Sequence, residues 1–446
     1  MVQYENSGDF SMSNLAILGG TPLRQKPFPS WPVFDEREEQ ALRDVLWSGS
    51  WWSGTQAYTA NSMQGSSRVS RFESEFARAH GAAFAFACSS GTAALEVALK
   101  AAGIGPGDEV IVPPYTFLAT ASAPLLLGAV PVFCDIDPAT YNLDPARVAA
   151  AITPRTRAII PVHFAGLAAD MERLLAIAKE HSLFVLEDAA HAHGASFHGR
   201  HLGTWGGAGI FSFQASKNMS AGEGGLILTD DPALAERANS YIWAGRVVGR
   251  PWYEHHRLGW NDRITEFQAA ILSQQLARLP QQNAVRMRNG LRLNARLAQL
   301  PGVLPMAVPP GITGHAFHIY MLRFQPQSFG FSRRTFLAAL EAEGIPCSAG
   351  YAQPLYQNPM FRHQRFHANG APLPVSGPVD YMRYEALCPV AEQACREAIW
   401  IEHRVLLESS EGIDDVARAI EKIYDDREAL VAYEGSHIDA PESTTR

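Results

Sequence analysis

Short apolar runs alternate with helix-patterned segments from about residue 70 to residue 230, and this alternation limits the fold more than any other feature. Phe84–Cys88, Val110–Val112, Val130–Asp135, Ala158–His163, Phe184–Glu187, Ile210–Phe213 and Leu226–Thr229 read as strands. Phe72–His80, Thr92–Ala102 and Asp170–His181 read as helices. Strands alternating with helices predict an α/β architecture: a mixed, mostly parallel sheet with helices on both faces.

The flanks read differently. Residues 1–34 form a polar, Pro-rich N-terminal lead-in, and a helix is expected from Asp35 to Trp47 with Asp35 as its cap. Residues 48–68 are rich in Ser, Gly, Thr and Gln and read as a loop. A helical run is expected to stop near Leu279-Pro280, because proline breaks the hydrogen-bond ladder of a helix interior. The large α/β domain is therefore placed at 35–280. A helix over 281–299, a strand His318–Phe324, a helix Ser332–Glu343 and a final helix Ile413–Tyr424 predict a smaller α+β domain at 281–432. Residues 433–446 read as a frayed tail.

Composition narrows the function. The 37 Lys and Arg against 45 Asp and Glu leave a net charge of −8, which argues against a general nucleic-acid binder. The five cysteines, Cys88, Cys134, Cys347, Cys388 and Cys395, are scattered and form no C-x-x-C pair. That pattern suits a reducing compartment such as the cytoplasm and predicts neither a disulfide framework nor a zinc site. The N-terminus has no basic and apolar signal pattern. The uncharged stretch between Glu109 and Asp135 contains Pro113, Pro114, Pro124 and Pro131, so it reads as strand, turn, short helix and strand rather than as a membrane span.

Three constellations could carry chemistry. Cys88-Ser89-Ser90-Gly91-Thr92 joins a strand to a helix. A helix start offers open N–H groups and a positive dipole end, so this is either a phosphate cup or an ordinary capped start. Glu187-Asp188-Ala189-Ala190-His191-Ala192-His193 ends a buried strand, where α/β folds bind ligands. An acid there could hold a protonated ring nitrogen; no ligand spacing supports a metal at the two histidines. Lys217 follows an apolar strand and precedes the glycine-rich Ala221-Gly222-Glu223-Gly224-Gly225. It is either a solvated loop lysine or an amine whose pKa is lowered in a pocket and which attacks aldehydes. The chain has only four other lysines, Lys26, Lys100, Lys179 and Lys422, in the lead-in or near helix ends. A phosphate cup, a buried acid and a reactive lysine together are the parts that pyridoxal 5'-phosphate requires.

At these motifs the chain resembles the DegT/DnrJ/StrS family of pyridoxal-phosphate aminotransferases. The matching segments are SSGTAAL (89–95), VIVPPYTFLAT (110–120), EDAAHAHGA (187–195), FSFQASKNMSAGEGG (211–225) and NDRITEFQAA (261–270). The resemblance implies the type I fold of pyridoxal-phosphate transferases and a homodimer with shared sites. It implies that Lys217 is the Schiff-base lysine and Asp188 the partner of the pyridine nitrogen. Gly91, Thr92 and Ser212 would contact the phosphate, Tyr115 would stack on the ring and His191 would lie against its other side. Asn261 would reach the phosphate of the partner subunit's site.

The segments PWYEHH (251–256) and GIPCSAGYAQPLY (344–356) look most like the branch of glutamine-dependent scyllo-inosose aminotransferases and amino-hydroxybenzoate synthases. Nucleotide-sugar members often carry PLH where this chain has Pro354-Leu355-Tyr356. The implied reaction moves an amino group from L-glutamine or L-glutamate to a keto-cyclitol or keto-sugar, in aminocyclitol or amino-sugar biosynthesis. The alternatives are an aromatising amino-hydroxybenzoate synthase, a nucleotide-sugar aminotransferase and a non-catalytic scaffold on the same fold. Dehydratase relatives lack the lysine, which this chain keeps.

Overall fold

The strands alternate with helices as the sequence predicts and assemble into one large sheet. The structure, a computed structural model, describes residues 14–53, 67–364, 366 and 379–437. Most of the loop expected at 48–68 lies outside the described residues. The large sheet contains β1 (Phe84–Cys88), β2 (Glu109–Val112), β3 (Val130–Phe133), β4 (Thr156–Ile159), β5 (Phe184–Asp188), β8 (Ala208–Ser212) and β9 (Gly225–Thr229). Two short strands, β6 (Ser196–Phe197) and β7 (Arg200–His201), lie between β5 and β8.

The order across the sheet is β1-β9-β8-β5-β4-β2-β3. β9 runs antiparallel to both its neighbours, while β8, β5, β4, β2 and β3 pair in parallel. β2, β3, β8 and β9 are buried at every residue, as strands covered on both faces must be. The uncharged stretch after Glu109 resolves into β2, a helix Ala119–Leu126 and β3. Among the described residues no helix is long and apolar enough to cross a membrane.

A second sheet pairs β10 (Val303–Pro305), β12 (Ile319–Phe324) and β13 (Ala398–Glu402) antiparallel, in the order β10-β12-β13. Between them, β11 (Ile312–Gly314) pairs with β6. Helices Arg333–Ala342 and Ser410–Asp425 pack with the second sheet around Leu322, Phe336, Ile399 and Ile420.

Two expectations are corrected, and the lead-in proves to be part of the folded core. The break at Leu279-Pro280 is absent: one helix runs from Glu266 to Leu297, so the expected boundary at 280/281 falls inside it. Pro280 is exposed, so water can satisfy the carbonyl it leaves without an N–H partner. The inward stripe Ala269, Leu272, Gln275, Leu279, Arg286 and Leu293 stays buried on both sides of the proline. In the lead-in, Leu15 and Phe28 join the core of the second sheet, and buried Arg24 pairs with Glu408 and Asp415. The chain does not fray at 433, because a further helix covers Arg427–His437. Its Glu434 carboxylate accepts the backbone N–H of Ser332 and the hydroxyl of Thr335, tying it to the start of Arg333–Ala342.

Candidate active site

The carboxyl ends of β1, β5 and β8 meet around a cavity of about 580 Å³. Six residues expected at a site line it: Gly91, Thr92, Asp188, His191, Ser212 and Lys217. They come from three strand ends far apart in sequence, which is how a parallel sheet gathers a ligand site.

The helix after β1 is started by Ser90, whose Oγ accepts the N–H of Ala93 at 3.1 Å. The first-turn N–H groups of Gly91 and Thr92 have no partner within a helix, and they stand at the cavity wall. The approach is tight. A Cβ on Gly91 would meet Ser212 Cβ at 2.8 Å, and one on Gly225 would meet the Ser90 carbonyl oxygen at 2.2 Å. Glycine at both positions lets the helix start sit directly beside the ends of β8 and β9.

Asp188 and Glu187 show how strand alternation divides two adjacent acids. Glu187 turns away from the cavity and accepts the N–H groups of Gly203 and Gly206, each at 2.7 Å, and faces His163 Nε2 at 2.9 Å. Asp188 lines the cavity. Its Oδ2 accepts the Thr120 hydroxyl at 2.9 Å and its Oδ1 accepts the Ala190 N–H at 3.2 Å. Burial raises its carboxyl above the ordinary range, and these two donors counteract part of that rise. Lys217 lies on the loop between β8 and β9. Burial lowers its ammonium to about 8, against the pull of the Asp188 carboxylate. Among the described residues it is the only lysine on the cavity.

Neutral imidazoles surround the lysine loop. Burial drives His191, His318 and His403 well below the ordinary histidine range. Hydrogen bonds fix three tautomers. Asn218 Nδ2 donates to the Ala316 carbonyl, so its Oδ1 accepts from His318 Nδ1–H at 2.9 Å. The Nε2 of His318 is therefore a bare acceptor. His193 Nε2–H donates to the Ser212 carbonyl at 2.8 Å, and His403 Nε2–H to that of Ser216 at 3.0 Å. His191 lies against His318, with ring centroids 4.3 Å apart. Among the described residues no three His, Cys, Asp or Glu side chains group as metal ligands.

Tyr115, expected to stack on the ring, is not on this cavity, and neither is Asn261, which the resemblance assigns to the partner subunit's site. Tyr115 is buried behind it, packed against Phe164 and Tyr351. The aromatic of its segment that reaches the wall is Phe117, two residues on. Asn261 is exposed, outside the cavity, and accepts a hydrogen bond from Arg263. Sequence reasoning also missed Thr120, His318, Tyr351 and Trp400, which line the cavity. Thr120 lies in the matched segment 110–120 and Tyr351 in the quoted segment 344–356; His318 and Trp400 come from the second sheet and its connections and carry no local signal.

Four of the five matched segments thus converge on one cavity, the segment 261–270 lying outside it, and the comparisons name the family. Residues 34–421 match the model of the DegT/DnrJ/EryC1/StrS aminotransferase family. The chain belongs to that family. It is 42% identical to the L-glutamine:scyllo-inosose aminotransferase of Streptomyces griseus, covering 93% of this chain and 98% of the relative. It is 38% identical to the L-glutamine:2-deoxy-scyllo-inosose aminotransferase of Streptoalloteichus tenebrarius, covering 92% and 97%. The crystal structure of 3-amino-5-hydroxybenzoic acid synthase superposes with a TM-score of 0.79 at 37% identity, covering 90% of this chain and 99% of that one. Lys217 stands on the cavity of this DegT/DnrJ/EryC1/StrS aminotransferase, and its burial favours the neutral amine.

Proposed function

We propose that this aminotransferase uses pyridoxal 5'-phosphate to move an amino group from L-glutamine to a keto-cyclitol. The carrying observation is that Lys217, Asp188 and the open helix start at Gly91 line one cavity. The residues suit the cofactor. The Gly91 and Thr92 N–H groups and the Ser212 hydroxyl are donors for a phosphate at the positive end of a helix. The buried Asp188 carboxylate would pair with a ring N–H, and such a partner would relieve its desolvation. Phe117 offers an aromatic face and His191 a neutral ring.

When bound, the cofactor supplies an electron sink for negative charge at the donor's α-carbon. Lys217 Nζ acts as nucleophile and then carries the proton from that α-carbon. Asp188 keeps the ring nitrogen protonated. His191 and His318, being neutral, add no cation to the site.

The acceptor class follows from the wall. Among the described residues, Lys217 is the only Lys or Arg lining the cavity, and Asp188 and Glu223 are its carboxylates. Such a wall suits an uncharged polyol better than the diphosphate of a nucleotide sugar, and two relatives are named for cyclitol ketones. The enzyme acts as a homodimer in a reducing cytoplasm, with Asn261 reaching the partner's phosphate. Likeness to 3-amino-5-hydroxybenzoic acid synthase favours an aromatising reaction as the second reading.

The test is the visible spectrum of the purified protein before and after L-glutamine, followed by scyllo-inosose. Loss of the lysine-bound cofactor band with glutamine, and its return with the ketone, is expected. No band after adding pyridoxal 5'-phosphate would overturn the reading. An aromatic product from a cyclic ketone would select the second one.

A further inference from the structure

A second chamber, of about 500 Å³, opens beside the first and shares Gln214, Ser216, His318, Ile319 and Trp400 with it. Among the described residues its wall carries the one arginine that lines either chamber, Arg404, two residues past the end of β13. Side chains alternate there. His403 turns inward to the Ser216 carbonyl, while Glu402 and Arg404 on either side of it pair with each other. Arg404 Nε donates to Glu402 Oε2 at 2.6 Å and Nη1 donates to the Pro29 carbonyl at 3.2 Å. Neither Arg404 Nη2 nor Glu402 Oε1 has a hydrogen bond among the described residues.

The pair thus carries an open donor group, Arg404 Nη2, and an open acceptor, Glu402 Oε1, on the chamber wall. A primary carboxamide has the matching arrangement, a carbonyl acceptor beside an NH₂ donor. A carboxylate does not, because it is drawn to Arg404 and repelled by Glu402. The Glu402 side chain is 66% exposed and that of Arg404 27%. An ion pair so solvated adds little to stability, so its charges remain available to a ligand.

We propose that Arg404 and Glu402 recognise the side-chain amide of the amino donor, Arg404 donating to its oxygen and Glu402 accepting from its nitrogen. This rests on the reading that an amino-acid donor is consumed at Lys217, and it makes the enzyme select glutamine over glutamate. The removal of one charge should then change the choice of donor rather than the chemistry at Lys217.

The experiment measures single-turnover conversion of the holoenzyme across concentrations of L-glutamine and of L-glutamate, for the wild type, Glu402→Gln and Arg404→Gln. Calorimetric binding of both amino acids to cofactor-loaded Lys217→Ala protein, with and without Glu402→Gln, reads recognition apart from turnover. Glu402→Gln should lower the preference for glutamine at least about tenfold, partly by admitting glutamate, because a site built for a hydrogen bond discriminates by leaving its groups unpaired. Arg404→Gln should weaken both donors. Circular dichroism confirms that each variant is folded. A wild type that prefers glutamate, or an unchanged preference in Glu402→Gln, overturns this proposal while the aminotransferase reading stands. A wild type that converts neither donor overturns both.

Discussion

His403 donates its Nε2–H to the carbonyl oxygen of Ser216 at 3.0 Å, one residue before Lys217. Arg286 Nη2 donates to the other ring nitrogen at 3.2 Å, which fixes the tautomer that holds the lysine loop. Arg286 is fully buried, and burial lowers its guanidinium to about 9. His403→Leu should remove the acceptor of Arg286 and the donor to Ser216 together. Each buried group left unpaired costs about 1–3 kcal/mol, so the unfolding midpoint in urea should fall accordingly. Turnover should fall with it, and His403→Gln, which keeps a donor and an acceptor, should recover part of both.

The environment of Lys217 sets a pH signature for the protein without its cofactor. Burial lowers the ammonium to about 8, whereas an unfolded lysine titrates near 10.4. Labelling of Lys217 by an acylating reagent, followed by mass spectrometry, should show a midpoint near pH 8. Between these two values the unfolded chain binds more protons than the native one. The contribution of this group to stability therefore rises with pH across that window and is unfavourable below it. Asp188→Asn removes an attraction that favours the ammonium, so the labelling midpoint should fall further.

Much of this was legible in the sequence because it was local. The strand runs and the capping residue Asp35 follow from periodicity and side-chain chemistry, and they appear where expected. The errors came where tertiary packing overruled a local rule. Pro280 should end a helix, yet it faces solvent while its neighbours hold a stripe that packs against three other helices. Tyr115 and Phe117 lie in one aromatic segment, and only the turn after β2 decides which reaches the cavity. The anchoring of the lead-in was not legible because its partners, Glu343, Glu408 and Asp415, lie more than three hundred residues away. His318 and Trp400 were invisible as site residues because the second sheet brings them in.

Thr120 tunes Asp188. Its hydroxyl donates to a carboxylate whose burial already raises its pKa, so removing the hydroxyl should raise it further. A hydrogen bond to a charged group is worth about 1.5–3 kcal/mol, which corresponds to roughly one to two pH units. In the proposed function, activity requires the carboxylate form of Asp188. In Thr120→Val the acid limb of kcat/KM should therefore move to higher pH by about that amount, with the alkaline limb in place. An unmoved acid limb would show that Asp188 does not set it.

Arg24 tests whether the lead-in is part of the folded core. Its side chain is 3% exposed and pairs with Glu408 and, at 2.8 Å, with Asp415 on helix Ser410–Asp425, while its guanidinium lies 3.8 Å from the Phe28 ring centre. The backbone on either side is also held, because Ala16 and Leu23 donate their N–H groups to the Glu343 carboxylate, each at 2.9 Å. Removing one partner of a buried ion pair costs about 3–5 kcal/mol, since the other charge stays desolvated. Arg24→Ala should lower the unfolding free energy in urea by that amount. Arg37→Ala is the control: its pair with Asp35 is about half exposed, and losing it should leave the unfolding free energy nearly unchanged. Equal small losses for both variants would mean that the lead-in adds little to the core of the second sheet. A large loss for Arg24 alone would show that residues near the start of the chain help to hold β13, and with it Glu402, His403 and Arg404, in place beside the lysine loop.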